Sequence, residues 1–122
     1  MHSPRVLVVE DDPLIAIELA DILEQEGCEV VDSAGSVPTA LHLVRNSKID
    51  LALLEVAVGA ETVEPVAKAL ARRAIPFGVV TAYPPAILPD AVRGHPLVQK
   101  PFAPREMKAL AEHLAASVRA GP

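Results

Sequence analysis

Four apolar runs fill both alternating sets of positions: Arg5-Val6-Leu7-Val8-Val9, Asp50-Leu51-Ala52-Leu53-Leu54, Phe77-Gly78-Val79-Val80 and Pro96-Leu97-Val98-Gln99. Runs of this length predict strands covered on both faces, as in a parallel sheet. Each ends in polar chemistry: Glu10-Asp11-Asp12, then Glu55, then Thr81, then Lys100-Pro101. Between the runs the apolar spacing lengthens to that of helices. From Pro13 to Gly27, Ile15, Leu19, Ile22 and Leu23 form one stripe, and Glu18, Asp21 and Gln25 form another. Asp12 suits the N-cap, Pro13 the first helical position and Gly27 the stop. Leu14 and Ile17 fall off the inner stripe, as exposed apolar residues beside an acidic rim.

A short strand at residues 29–33 and the loop Ala34-Gly35-Ser36 lead to a helix from about Val37 to Asn46, with Ala40, Leu41 and Val44 inward. A third helix is predicted from a Thr62 cap to about Arg73, with Val63, Val66, Leu70 and Ala74 on one stripe. Between Ala82 and His95 the prolines restrict helix to a turn or two near residues 89–93. Pro104 opens a final helix on which Met107, Leu110, Leu114 and Val118 share a face and Lys108 pairs with Glu112; Ala120-Gly121-Pro122 is expected to fray. Five strands alternating with helices imply one α/β domain over residues 1–122, a three-layer doubly wound parallel sheet with a shortened fourth helix. In the flavodoxin-like order 2-1-3-4-5, strands one and three flank the switch-point crevice, which brings Glu10, Asp11 and Glu55 together.

Composition narrows the function. Hydrophobic residues make up 51% of the 122, yet no apolar segment is long enough to cross a bilayer. The N-terminus enters the first strand without a basic-then-apolar leader, so a cytoplasmic address is expected. A net charge of −5, 2% aromatic residues and no basic block argue against direct nucleic-acid binding. The single cysteine, Cys28, has no partner at metal or disulfide spacing and reads as a small apolar residue.

Crowded carboxylates in a half-sheltered crevice repel one another, and the remedies are proton uptake or a hard cation. Mg²⁺ uses one or two carboxylates and leaves room for phosphoryl oxygens. Lys100 and the Thr81 hydroxyl are the groups such oxygens need opposite them.

Val8-Val9-Glu10-Asp11-Asp12-Pro13-Leu14-Ile15, Glu55, Thr81-Ala82-Tyr83 and Lys100-Pro101-Phe102 together resemble the receiver domain of two-component response regulators, over essentially the whole chain. The resemblance implies that Glu10 and Asp11 help hold Mg²⁺, Asp11 more directly, together with Glu55 and the backbone carbonyl of Ala57. It further implies that Thr81 is the switch hydroxyl and Lys100 the phosphate-binding amine, with Ala82, Tyr83 and Pro101 in the same switch region and a cis peptide before Pro101. Glu55 then stands where the family has its phosphoacceptor aspartate. The added methylene moves the carboxylate by roughly 1 Å, enough to cost about a hundredfold in a reaction that needs in-line positioning. Pro76 to Tyr83 is similar to stand-alone receivers of stress phosphorelays that carry Pro-Phe…Thr-Gly-aromatic, with Ala82 here in place of the glycine. The aromatic often found shortly before the lysine is absent; Leu97 stands three residues ahead of it.

The expectation is a stand-alone, non-enzymatic receiver without an output domain, not phosphorylated in the ordinary way. Glu55 either imitates the phosphorylated state or is inert. The receiver acts by contact with a histidine kinase or another signalling protein, with Leu14, Ile17 and Phe102 as docking residues, and without membrane or nucleic acid. Two alternatives stand beside it. One is a receiver that forms part of a larger hybrid kinase or regulator. The other is a phosphatase similar to the haloacid-dehalogenase group, which Pro13 disfavours by occupying the place of the required second acid.

Overall fold

The computed structural model describes residues 3–119. The elements follow in the order β1 (Arg5–Val9), α1 (Pro13–Gln25), β2 (Glu29–Ala34), α2 (Val37–Asn46), β3 (Leu51–Leu54), β4 (Ala57–Val58), β5 (Glu61–Thr62), α3 (Glu64–Arg72), β6 (Phe77–Thr81), β7 (Leu97–Gln99) and α4 (Pro104–Arg119). Five of the strands pair in parallel in the order β2-β1-β3-β6-β7, the expected doubly wound arrangement. The fraying expected at residues 120–122 lies outside the described residues.

Alternation along each strand divides the core in two, because successive side chains point to opposite faces. Leu7, Val9, Ala52, Leu54, Phe77 and Val79 face α2 and α3. Val6, Val8, Leu51, Leu53, Val80 and Val98 face the layer of α1 and α4. A central strand such as β3 is therefore apolar at every position and buried throughout, and polar chemistry can begin only at its tip. The start of α1 is set locally. Asp12 Oδ1 accepts from the backbone N–H of Leu14 at 3.0 Å and of Ile15 at 3.4 Å, a cap worth about 1 kcal/mol.

Several local expectations change. α3 begins at Glu64 behind Val63, which has no side-chain cap, so Thr62 is not its N-cap. Residues 57–62 fold instead into a two-stranded hairpin, with Ala57 paired to Thr62 and Val58 to Glu61. The chain reverses at Gly59, whose φ of 63° suits a residue without a Cβ. Ala74 lies beyond the end of α3, exposed and at φ 56°, in the turn that returns the chain to the sheet. On α1 the buried set is Ala16, Leu19, Ile22 and Leu23, with Ile15 only half-buried. Lys108 reaches 4.0 Å toward Glu26 beyond α1 rather than pairing with Glu112, because the approach of α4 to α1 brings that acid closer. The fourth crossover holds two single 3₁₀ turns, Pro85–Ile87 and Asp90–Val92, and buries Leu88 and Val92 in the α2–α3 core.

Candidate functional site at the strand tips

The site forms where β1, β3, β6 and β7 end. Strand pairing extends one residue past the first two tips: Glu10 N–H donates to the Ala34 carbonyl at 3.0 Å and Glu55 N–H to the Val9 carbonyl at 2.9 Å. Both carboxylates are thereby held on the ladder. Lys100 N–H donates to the Thr81 carbonyl at 2.9 Å, which fixes the lysine beside them, and the Lys100–Pro101 peptide is cis.

The Lys100 ammonium sits between the two acids. Its Nζ donates to Glu10 Oε1 at 2.6 Å and to Glu55 Oε1 at 2.8 Å. The second oxygen of each acid takes a backbone N–H, from Asp12 at 3.2 Å for Glu10 and from Val56 for Glu55. The trio is sheltered, with side-chain exposures of 2% for Glu10, 10% for Glu55 and 16% for Lys100. Burial raises the Glu10 pKa above the ordinary carboxylate value, against the opposing pull of the Lys100 ammonium. Burial also works against the charge on Lys100, but its bonds to Glu10 and Glu55 outweigh that and hold its pKa above the ordinary lysine value.

Asp11, beside Glu10, has a donor of its own. Its Oδ2 accepts from Gly59 N–H at 3.0 Å, which ties the hairpin to the rim and lowers the Asp11 pKa. Thr81 is fully buried, and its Oγ1 accepts from Tyr83 N–H at 3.2 Å. Tyr83 is half-buried against the α2–α3 core and its carbonyl accepts from Gln99 Nε2 at 2.8 Å, whereas Ala82 is exposed. Leu14 is 78% and Ile17 59% exposed. Phe102 is half-buried and lines a shallow groove of about 370 Å³ with Ile15, Glu18, Ala82, Lys100 and Pro101.

Sequence reasoning brings Glu10, Glu55, Thr81 and Lys100 to one rim, and the structure places them there. It misses Gly59 and Gln99. A glycine flanked by Val58 and Ala60 signals a turn, but nothing local shows which carboxylate its N–H will meet; Gln99 carries no signal beyond preceding Lys100.

The resemblance implies Mg²⁺ on Glu10, Asp11, Glu55 and the Ala57 carbonyl. Among the described residues no three acidic, histidine or cysteine side chains are grouped to hold a metal ion. Glu10 and Glu55 are turned to an ammonium and Asp11 to a backbone N–H, so a divalent cation at this rim would have to displace those partners.

The family profile described as "Response regulator receiver domain" matches residues 6–112. The chain is 32% identical over 113 residues to the phyllosphere-induced regulator PhyR of Methylorubrum extorquens, covering 88% of this chain and 42% of that protein. The chain spans less than half the length of the curated relatives it matches. Among solved structures it is similar to SdrG from Sphingomonas melonis Fr1, at 38% identity and a TM-score of 0.77 over 95% of each chain. It is also similar to a CheY-like receiver domain protein from Methanospirillum hungatei JF-1, at 26% identity and a TM-score of 0.79 over 98% of this chain and 99% of that one.

Proposed function

The chain belongs to the response regulator receiver domain family, and from that premise we propose a receiver that signals by protein contact while Glu55, in the acceptor position, does not take up a phosphoryl group in the ordinary way. The observation that carries this reading is the Lys100 ammonium, bonded at once to Glu55 and Glu10. In a receiver with ordinary phosphotransfer that amine meets phosphoryl oxygens; here a carboxylate of this chain meets it. Glu55 supplies one negative charge and two oxygens, against nearly two charges and three oxygens for a phosphoryl group. It thus imitates part of the modified state and holds the Lys100 end of β7 close to β3. Mg²⁺ has to compete with Lys100 for Glu10 and Glu55 and with Gly59 for Asp11, so its affinity for this rim is lower than for one with free carboxylates.

The surface beside the rim supports a signalling-protein partner, such as a histidine kinase. Leu14 and Ile17 stand exposed on α1, and Phe102 lines the groove between α1 and the β7–α4 turn. Apolar side chains next to an acidic rim suit a helix laid along that groove.

The test is one substitution. Glu55→Asp withdraws the carboxylate by one methylene, and the protein then takes up a phosphoryl group from acetyl phosphate with Mg²⁺. Intact-mass spectrometry shows the added mass, while the parent stays unlabelled over the same times. Ready labelling of the parent, or a folded Glu55→Asp protein that never labels, would overturn the reading.

A further inference from the structure

Charge is unevenly divided along the chain. Residues 10–32 carry nine carboxylates and no lysine or arginine. On the opposite side of the sheet, α2 and α3 bring three cations to one groove of about 430 Å³, floored by Leu41, Pro65 and Ala69 and walled by Arg45, Lys68 and Arg72. Among the described residues none of these three cations has a carboxylate at ion-pair distance. The groove's own acid, Glu64, is engaged by the Thr62 hydroxyl at 3.4 Å. In a protein of net charge −5, a groove that sets three cations against one acid is an unbalanced feature.

The complement lies on α1. Leu14, Ile17, Glu18 and Asp21 recur at spacings of three and four, all exposed, and make a stripe that is apolar at one end and acidic at the other. Glu18 and Asp21 lie about one turn apart, as do Lys68 and Arg72. The apolar end of the stripe matches the apolar floor of the groove, and the acidic end matches its walls.

We propose that α1 of one molecule docks into the α2–α3 groove of a second copy, a head-to-tail contact of acidic helix in basic groove. Because groove and helix lie on opposite layers of the same domain, one molecule offers both halves and cannot join them to itself. The contact covers Leu14 and Ile17, so self-association and partner docking at that face exclude each other. This consequence rests on the docking surface proposed above; the contact itself does not.

Sedimentation velocity of the full chain tests it, with no kinase or phosphodonor present, so its failure leaves the reading of the rim standing. At low ionic strength the sedimentation coefficient rises with protein concentration, and at high salt it returns to that of a monomer. Arg45→Gln/Lys68→Gln/Arg72→Gln and, separately, Glu18→Gln/Asp21→Asn each lower the association constant by about tenfold or more. All five side chains are exposed, and circular dichroism verifies that both variants fold. Mixed in equal amounts, the two variants associate again but stop at a dimer, since only one intact helix and one intact groove remain per pair. A parent that stays monomeric at low salt overturns the proposal. So does association that salt leaves unchanged, a variant that associates like the parent, or a mixture that remains monomeric.

Discussion

At the scale of single residues, Lys100 carries the most consequence. Two sheltered carboxylates lie within 2.8 Å of its Nζ, so removing it leaves like charges facing each other out of water. Lys100→Ala is expected to cost about 3 kcal/mol or more at neutral pH, read by chemical denaturation. The loss shrinks in acid. Glu10 has a folded-state pKa above its unfolded value, so the folded state binds the extra proton and gains stability as pH falls through that range. A Lys100→Ala loss that is the same at pH 5 and pH 7.5 would contradict this account. His95 titrates in the opposite sense. Its ring stacks on Phe77 at a centroid distance of 3.8 Å, and burial holds its pKa below the ordinary 6.5. The unfolded chain therefore binds the proton first, and the contribution of neutral His95 is lost as pH drops below about 6.5. His95→Phe keeps a ring on Phe77 and is expected to flatten the fall in unfolding temperature between pH 7 and pH 5.5; an unchanged slope would mean that His95 is not its source.

At the scale of elements, α4 and the sheet meet through a missing side chain. A Cβ on Gly78 of β6 would stand 3.1 Å from Leu110 Cδ1 and from Leu114 Cδ1, tighter than ordinary packing. Gly78→Ala is expected to cost about 1–3 kcal/mol by overpacking. The check is the denaturation midpoint, and a neutral or stabilising outcome would show that the two leucines swing aside freely. The element missed in the sequence, the hairpin of β4 and β5, is missed for a physical reason. Strands of two residues have no periodicity to read, and a Thr62 just ahead of the stripe Val63, Val66 and Leu70 looks like a helix cap. Its consequence reaches the rim, because the hairpin turn delivers the Gly59 N–H to Asp11. The start of α1 is legible because Asp12, Pro13 and the first turn are neighbours in the chain.

At the scale of the whole molecule, one sheet serves two cores, Leu70 lying in the α2–α3 core and Leu114 in the α1–α4 core. Because β1, β3 and β6 contribute to both, neither layer is expected to unfold alone. Leu70→Ala and Leu114→Ala should each cost about 2–5 kcal/mol and leave a single transition. Tyr83, the chain's one tyrosine, reports from the α2–α3 side. Its fluorescence midpoint in Leu114→Ala should move with the far-UV circular dichroism midpoint; separated midpoints would mean that the layers come apart. The apolar runs determined by themselves that there would be a buried parallel sheet, and their ends determined that Glu10, Glu55, Thr81 and Lys100 would share one rim. Those features are legible because strand period, cap chemistry and the polarity of a strand tip are properties of adjacent residues. Only the tertiary structure decided how the rim's charges pair. Lys100 meets Glu55 and Glu10 across 45 and 90 residues, and Asp11 meets Gly59 across 48. Strand order, register and the path of the hairpin choose such partners, because carboxylates within reach of several donors take the ones that the packed backbone holds nearest.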